Sequence, residues 1–240
     1  MELSRAYADQ VRKQLGYFPV WQPGDAVTPG DVGPVEHGLF RREAGLSEIF
    51  PQLKINVASR RVKGPTQFHS SECSIISLRG SGKVPKHGAI DANIALRLTF
   101  GKAGGAVFDA LDCTDRYIKN LLAICTYVDT HRRDWPPHFT LATQTTVAKH
   151  FVVLVSAEDG ASVDLSGRAR VLNSWNLADA SIKTSAPKNI GYERSGDGAI
   201  LVGLYGFGWF GKRLKVLSAT ETMPPEAEFK ELPARDPLFD

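Results

Sequence analysis

The feature that most constrains this chain is an uninterrupted stretch from Phe139 to Ser156 that contains neither Pro nor Gly. Its Thr, Val and Phe side chains are typical of β-strands. At about 3.3 Å per residue the stretch supplies on the order of 55–60 Å of strand, whereas a common strand measures about 17–20 Å. We therefore expect either a bend into two strands around Lys149-His150 or a reserve of strand for a more extended state.

A second arm, in which polarity alternates almost throughout, follows the turn-forming residues Glu158-Asp159-Gly160. Its apolar positions are Val163, Leu165, Ala169 and Val171, with polar residues between them. This period of two residues is the pattern of a half-buried strand. The two arms and the turn together predict a β-hairpin over His138–Leu172.

The clearest strand elsewhere runs from Ile90 to Phe100. Its apolar positions are Ile90, Ala92, Ile94, Leu96, Leu98 and Phe100. Eleven residues match the roughly 9–11 that a tilted strand needs to cross a bilayer. A strand buried on one side in an ordinary sheet has the same pattern, so both interpretations stay open.

The remaining pattern predicts helices at Ser4–Leu15 and Asp115–Arg132, the second capped by Thr114. The first helix either packs on the body by its apolar stripe or touches lipid through its basic residues. Short strands are expected at Tyr17–Trp21, Leu53–Val57, Cys73–Leu78, Ala199–Tyr205 and Arg213–Leu217, and a solvated loop at the cation run Arg60–Lys63. Because no βαβ rhythm is present, we expect an α+β fold with a twisted, largely antiparallel sheet flanked by helices.

Charge is unevenly distributed along the 240 residues, whose net charge is +3. Residues 218–240 contain six acidic and two basic residues, a net charge of −4, which leaves +7 for residues 1–217. With 42% hydrophobic residues, the chain can bury a core. We expect one domain over residues 1–217 and an acidic, Pro-rich tail over 218–240. A basic body favours anionic partners, either nucleic acid or acidic lipid.

Motifs for catalysis, metal binding and nucleotide binding are missing from the sequence. The segment Gly206–Gly211 matches G-x-G-x-x-G, but a strand-like sequence follows it instead of a helix. The six histidines and three cysteines show no metal-ligand spacing, and no nucleophile elbow is present. No pattern typical of nucleic-acid binding modules occurs. We therefore expect no enzyme activity, no cofactor, no metal and no nucleic-acid partner. Three cysteines without C-x-x-C spacing and no secretory leader suggest a reducing interior.

Two segments carry a resemblance to a known family. The opening AYADQVRKQLGYFPVWQPGDAVTPGDVGPVEHGLFRREAGLSEIF resembles the start of gasdermin-type pore-forming domains, and ILVGLYGFGWFGKRLKVL is similar to their closing strand. With no large domain expected after Leu217, the chain resembles in plan the fungal regulator-of-cell-death proteins, gasdermin homologues in allorecognition that lack the inhibitory C-terminal domain. It departs from bacterial forms with an acylated cysteine near the N-terminus, because its first cysteine is Cys73.

The resemblance implies a cytoplasmic monomer that docks on acidic phospholipid at the plasma membrane. Subunits then assemble as a homo-oligomer, or with an allelic partner as a hetero-oligomer, and insert hairpins drawn from about Leu53–Phe100 and Phe139–Leu172. The implied lipid-binding cations are Arg5, Arg12, Lys13, Arg41, Arg42, Arg60, Arg61 and Lys63. The implied membrane-inserting residues are Ile90, Ile94, Leu96, Leu98, Phe100, Phe151, Val153, Val155, Val163, Leu165 and Val171. The implied outcome is membrane permeabilisation and cell death, in heterokaryon incompatibility or defence.

A second hypothesis is a soluble β-rich binding or scaffold module. In that case the same alternation serves only to pack one face of a sheet on the helices. Leakage of dye from liposomes separates the two hypotheses.

Overall fold

A computed structural model describes residues 3–20, 22–64, 66–71, 73–78, 93–168, 177–178, 183–206 and 215–217. The helices are α1 (Leu3–Leu15), α2 (Leu46–Ile49) and α3 (Leu121–Thr130), with a 3₁₀ turn at Arg132–Asp134. The strands are β1 (Phe18–Pro19), β2 (Asp31–Gly33), β3 (Val35–Glu36), β4 (Leu39–Phe40), β5 (Ala44–Gly45), β6 (Val57–Arg61), β7 (Thr66–His69), β8 (Cys73–Leu78), β9 (Asn93–Phe100), β10 (Ala106–Leu111), β11 (Thr114–Ile118), β12 (Thr140–Ser156), β13 (Ala161–Arg168), β14 (Lys183–Lys188), β15 (Ile190–Gly206) and β16 (Lys215–Leu217). The strand pairings with an assigned register are antiparallel, which confirms the predicted α+β class.

The chain divides into two compact units. Unit 1 consists of Met1–Gln10, Val62–Cys113 and Ala148–Asp197, and unit 2 consists of Val11–Arg61, Thr114–Val147 and Gly198–Asp240.

Unit 2 has an aromatic and aliphatic core beneath α3. Ile124, Cys125 and Val128 are the buried positions of α3, and they cluster with Phe50 and Trp135. The rings of Phe50 and Trp135 stack with their centroids 6.4 Å apart. This core holds α3 against β2 and β11 of the same unit, since Val32 and Ile118 belong to the cluster.

The predicted helix Asp115–Arg132 is wrong in its first part, which is strand β11. Asp115 is buried and accepts hydrogen bonds from Arg60 Nη2 (3.0 Å) and Thr146 Oγ1 (2.8 Å) on the two neighbouring strands. These cross-strand bonds satisfy a buried carboxylate, and they outweigh the local helical pattern. The helix itself begins at Leu121.

The cation run was also placed wrongly, because Arg60 and Arg61 lie in β6 and not in a loop. The predicted strand over Leu53–Val57 begins only at Val57. β6 is paired with β11, and its side chains are mostly exposed. Charged groups can therefore occupy this strand and remain hydrated.

The long stretch before Ser156 does not bend into two strands. β12 is continuous over seventeen residues, but its partner changes from β11, up to Val147, to β10, from His150 onward. Between β10 and β11 Asp112 adopts a positive φ of 51°. This turn separates the two partner strands, while β12 itself is not interrupted.

Candidate functional site

The candidate site is a four-stranded antiparallel sheet in unit 1, with the order β14-β13-β9-β8. We call it the hairpin sheet. β8 pairs with β9, and β13 pairs with β14, so the sheet consists of two hairpins joined by the pairing of β9 with β13. In β14 the register shifts between the partners of Ser162 and Asp164, which is a β-bulge.

The inner face of the hairpin sheet is apolar. Leu98 lies opposite Val163, and Leu96 lies opposite Leu165, with all four side chains buried. They form one cluster with Val107 of β10, Val152 and Leu154 of β12, and Leu177. The inner face therefore packs on the other sheet of unit 1, formed by β7, β10, the end of β12 and the start of β15, which we call the body sheet.

The outer face of the hairpin sheet is polar. Arg97 and Asp164 are cross-strand partners, and Arg97 Nε and Nη2 donate to the Asp164 carboxylate at 2.6 and 2.9 Å. The bidentate hydrogen bond raises the pKa of Arg97 and lowers the pKa of Asp164. Successive cross-strand pairs point to alternate faces of the sheet. Along β9 and β13 this exposed ion pair therefore comes between the buried pairs Leu98–Val163 and Leu96–Leu165.

The strands of the hairpin sheet and of the body sheet follow one another directly along the chain. β8 follows β7, β10 follows β9, β13 follows β12 and β15 follows β14, each through a short connection. The connections are linked side by side, because Ser70 N donates to Ala106 O, Ser156 N to Gly105 O, and Ala157 N to Asn189 O, each at 2.9 Å. We call Ser70, Gly105–Ala106, Ser156–Ala157 and Asn189 the crossover row.

Two of these connections are joined by further hydrogen bonds. Asp159 Oδ1 accepts the N–H of Ala103 at 2.8 Å, and Ser156 Oγ donates to Lys102 O at 2.7 Å. Gly160 N donates to Phe100 O at 2.8 Å. The turn residues Glu158-Asp159-Gly160 thus make a turn as predicted, but they lead the chain into a different sheet.

The predicted β-hairpin over His138–Leu172 is therefore wrong. β12 and β13 are consecutive but do not pair, because β12 has β10 on one side and β15 on the other. The partners of β13 are β9 and β14. The observed hairpins are β8–β9 and β13–β14, so the second arm of the predicted hairpin is the first strand of the second observed one.

The predicted membrane-inserting residues fall into three groups. Leu96, Leu98, Phe100, Val163 and Leu165 are buried on the inner face of the hairpin sheet. Phe151, Val153 and Val155 are buried in β12 of the body sheet, on the face opposite Val152 and Leu154. The backbone of Ile94 lies in β9, opposite Gly167, whereas Ile90 and Val171 lie outside the described residues.

The predicted lipid-binding cations are divided between the units. Arg5 and Lys63 belong to unit 1, and Arg12, Lys13, Arg41, Arg42, Arg60 and Arg61 belong to unit 2. All of them are exposed except Arg12, which is half-buried with its guanidinium 5.6 Å from the centre of the Phe18 ring.

Arg41, Arg42 and Arg60 are engaged in ion pairs. Arg41 pairs with Glu36 and Glu43, Arg42 pairs with Asp31 at 3.0 Å, and Arg60 pairs with Asp115 at 3.0 Å. The pKa of Arg41 is raised, chiefly by its hydrogen bond to Glu43, and that of Arg60 by its hydrogen bond to Asp115. Engaged guanidinium groups have less capacity to bind an external anion than the exposed Lys13 of α1.

Other kinds of site are missing from the described part of the chain. It contains no group of three His, Cys, Asp or Glu side chains that could hold a metal ion. Within the same residues, no helix has the length and apolar character needed to span a bilayer.

One residue of unit 1 was missed at the sequence level. Asp109 lies in the middle of β10 and is 1% exposed. Its Oδ2 accepts the N–H of Ala178 at 2.8 Å, and burial raises its pKa to about 6. The signal available in the sequence was a single Asp in the otherwise apolar AVFDAL, directly after the Gly-rich turn that ends β9.

Comparison with known proteins finds similarity to solved structures only. No family model matches the chain, and no curated protein is similar to it. Among solved structures, a bacterial gasdermin from Bradyrhizobium tropiciagri is similar over 89% of this chain and 90% of its own chain, with 14% sequence identity and a TM-score of 0.36. At this level of similarity the chain is not assigned to a family.

Proposed function

We propose that this chain permeabilises membranes. It binds acidic phospholipid, oligomerises and inserts the hairpin sheet as part of a pore, and the resulting leak kills the cell. The resemblance of the sequence to gasdermin-type domains suggests the activity. The observation that supports it best is the hairpin sheet, which has one apolar and one polar face.

A bilayer can replace the body sheet as the partner of the inner face. Leu96, Leu98 and Leu165 need an apolar environment, whereas Arg97 and Asp164 on the outer face need water. Detachment in water would expose the apolar side chains, which costs a free energy of about 25 cal/mol for each Å² of apolar surface exposed. Detachment into lipid avoids that cost, while the polar face stays with the aqueous lumen. The hydrogen bonds between the four strands are retained in both states.

Oligomerisation follows from the edges of the hairpin sheet. Among the described strands, β8 and β14 each have one neighbour in this sheet, so each presents one open edge. In hydrocarbon the unpaired N–H and C=O groups of an open edge cost several kcal/mol each. Pairing of β8 from one subunit with β14 of the next removes both edges. The same geometry serves a homo-oligomer and a hetero-oligomer with an allelic partner.

Docking on acidic lipid is assigned to the basic side chains. Arg5 and Lys13 are exposed on α1, and Arg61 and Lys63 are exposed at and just after the end of β6. Arg41, Arg42 and Arg60 would have to exchange a carboxylate for a lipid phosphate. We accordingly place the monomer in the cytoplasm and the oligomer at the plasma membrane.

The test is leakage from dye-loaded liposomes with and without acidic phospholipid, at low and at physiological salt. We expect leakage only from acidic vesicles, and weaker binding at the higher salt because exposed charges are screened. Binding without leakage would indicate a missing trigger or partner chain. The absence of both would favour the soluble β-rich module, for which the buried inner face is simply a core.

A matched pair of variants tests the hairpin assignment. Leu165→Asp places a charge on the inner face, and Ser166→Asp places the same charge one residue further on the outer face. We expect the first to abolish leakage while binding to acidic vesicles persists, and the second to leak like the wild type. Circular dichroism of each variant checks that it is folded. Wild-type leakage by a folded Leu165→Asp protein would contradict insertion of this sheet.

A further inference from the structure

We propose that Asp109 makes detachment of the hairpin sheet pH-dependent, with the attached state favoured in acid and release favoured at neutral pH. The inference deepens the proposed function, because it concerns the step that precedes insertion. It rests on the position of this carboxyl group between the two sheets of unit 1.

Asp109 lies on the face of β10 that is covered by the hairpin sheet. In β10 the side chains alternate, and Val107, two residues earlier, belongs to the cluster that contains Leu98 and Leu165. Across the body sheet the partner of Asp109 is Val152 of the same cluster. Asp109 is therefore an ionisable group at the edge of an apolar contact.

Asp109 accepts a backbone hydrogen bond from the segment that joins two strands of the hairpin sheet, β13 and β14. Oδ2 accepts from Ala178 N at 2.8 Å, and Ala178 and the adjacent Leu177 are both buried. Leu177 packs in the cluster and Ala178 follows it, within the segment that leads from β13 to β14. Asp109 Oδ1 is buried and has no hydrogen-bond partner among the described residues. Burial makes the ionised form of this carboxyl group costly.

The sign of the effect follows from the cost of burying charge. Burial raises the pKa of Asp109 to about 6, and the backbone N–H groups of Ala178, Leu177 and Ala110, which act in the opposite direction, do not compensate. After detachment the carboxyl group is in water and its pKa returns to the ordinary value near 3.8. The attached state therefore binds the proton more tightly. Its advantage is complete below the ordinary pKa and is lost as the pH rises through about 6.

Two other titratable groups lie on the same face of the body sheet. His69 of β7 is the register partner of Val107, and His150 of β12 is the partner of Leu111. Both are exposed, and Gln67 is the partner of Asp109 on β7. Because a histidine also titrates in this range, the experiment must separate the histidines from Asp109.

The experiment is amide hydrogen exchange of the full chain in solution at pH 5.0 and pH 7.5, corrected for the intrinsic exchange rates. We expect the protection of β9 and β13 to be about tenfold lower at pH 7.5, from the linkage between the two pKa values. The amides of α3, in unit 2, provide the reference. Equal protection of β9 and β13 at the two pH values would overturn the proposal.

Three variants assign the effect to the residue. Asp109→Asn removes the ionisation and keeps an acceptor for Ala178, and it should show the same protection at both pH values. The exposed Asp112→Asn and the double change His69→Gln, His150→Gln should keep the wild-type difference, and loss of the difference in the histidine variant would contradict the assignment. If Asp109→Asn does not fold, the histidine variant decides: a wild-type difference that it retains supports Asp109, and one that it loses overturns the assignment.

Leakage separates this proposal from the proposed function. From acidic vesicles the wild type should leak faster at pH 7.5 than at pH 5.0, and Asp109→Asn should leak at a rate independent of pH. A pH-dependent exchange pattern with neither binding to acidic vesicles nor leakage at either pH would contradict the pore-forming function and support the role of Asp109. Leakage that depends on pH identically in the wild type and in Asp109→Asn would overturn the role of Asp109 and leave the pore-forming function in place.

Discussion

The hairpin sheet and the end of β12 lie in the same unit and are built from similar residues, yet they are buried differently. In β13 every second residue is buried, whereas in β12 all six residues from Phe151 to Ser156 are buried. The hairpin sheet buries one face, whereas this part of β12 is buried on both faces. A one-sided sheet can exchange one apolar partner for another, but a strand covered on both sides cannot leave without exposing both faces.

This difference changes the interpretation of the apolar runs in the sequence. Phe151, Val153 and Val155 were expected to insert into the membrane together with Val163 and Leu165. In the structure they belong to the body sheet, on the face turned away from the hairpin sheet. We therefore expect substitutions in the two regions to act on different properties, the stability of unit 1 in one case and the attachment of the hairpin sheet in the other.

The largest effect is expected from Val153→Asp. Val153 is fully buried in β12, and an unpaired carboxylate at this position should lower the free energy of unfolding by at least about 4 kcal/mol. The matched control is Ser162→Asp, on the outer face of β13, which should be nearly neutral. Denaturant titration followed by circular dichroism measures both. Similar losses in the two variants would show that the outer face is not solvent-accessible.

A smaller effect is expected from Leu98→Ala in the hairpin sheet. The change removes a fully buried side chain and leaves a cavity, which costs about 2–5 kcal/mol when the site cannot relax. Because this site lies between the two sheets, we expect the loss to appear as reduced hydrogen-exchange protection of β9 and β13, while β10 keeps its protection. Equal loss in β10 would mean that the two sheets open as one unit.

Gly105→Ala tests how tightly the connections of the crossover row are packed. A Cβ at this position would lie 3.0 Å from Phe100 Cδ1 and 3.2 Å from Lys102 O, so the connection must shift. We expect a loss of about 1–3 kcal/mol in the free energy of unfolding, typical of overpacking. Gly196→Ala is the control, because its Cβ would make only ordinary contacts with Phe151, at 3.7 Å or more. Differential scanning calorimetry should show a lower melting temperature for the first variant alone.

The smallest effect is expected from Asp164→Asn, which removes the ion pair with Arg97 on the outer face. Since Arg97 lowers the pKa of Asp164, the ion pair stabilises the pairing of β9 with β13 above the ordinary pKa of Asp. Its contribution disappears as the pH falls through the lowered pKa. Thermal unfolding should therefore show a slightly lower melting temperature than wild type at pH 7, and no difference in strong acid. A difference that persists in acid would point to packing instead of charge.

Local patterns were sufficient for much of the fold. Alternation predicted β8 and most of β9, and the spacing of apolar residues predicted α1 almost to the residue. Gly38, with a φ of 78°, lies in the tight turn between β3 and β4, a backbone conformation that favours glycine. These features depend on neighbours in the sequence, so the sequence contains what is needed to predict them.

Pairing across the chain was not predictable in the same way. The residues of β11 were compatible with a helix until Arg60 and Thr146, distant in sequence, were brought to Asp115. Similarly, a turn after Ser156 was compatible with pairing of β12 and β13 until β15 occupied the free edge of β12. In both cases a long-range partner decided between local structures of similar energy.

Side-chain polarity and turn residues act locally, so the amino-acid sequence was enough to predict antiparallel strands with apolar and polar faces. Three outcomes emerged only from the folded structure: which strands share a sheet, which apolar runs are covered on one side or on both, and the position of Asp109 between two sheets. Those outcomes depend on which distant surfaces bury one another, and the hydrophobic effect that drives this burial is non-directional. The alternation in β9 and β13 therefore predicted an amphipathic surface, and the fold determined where that surface is attached.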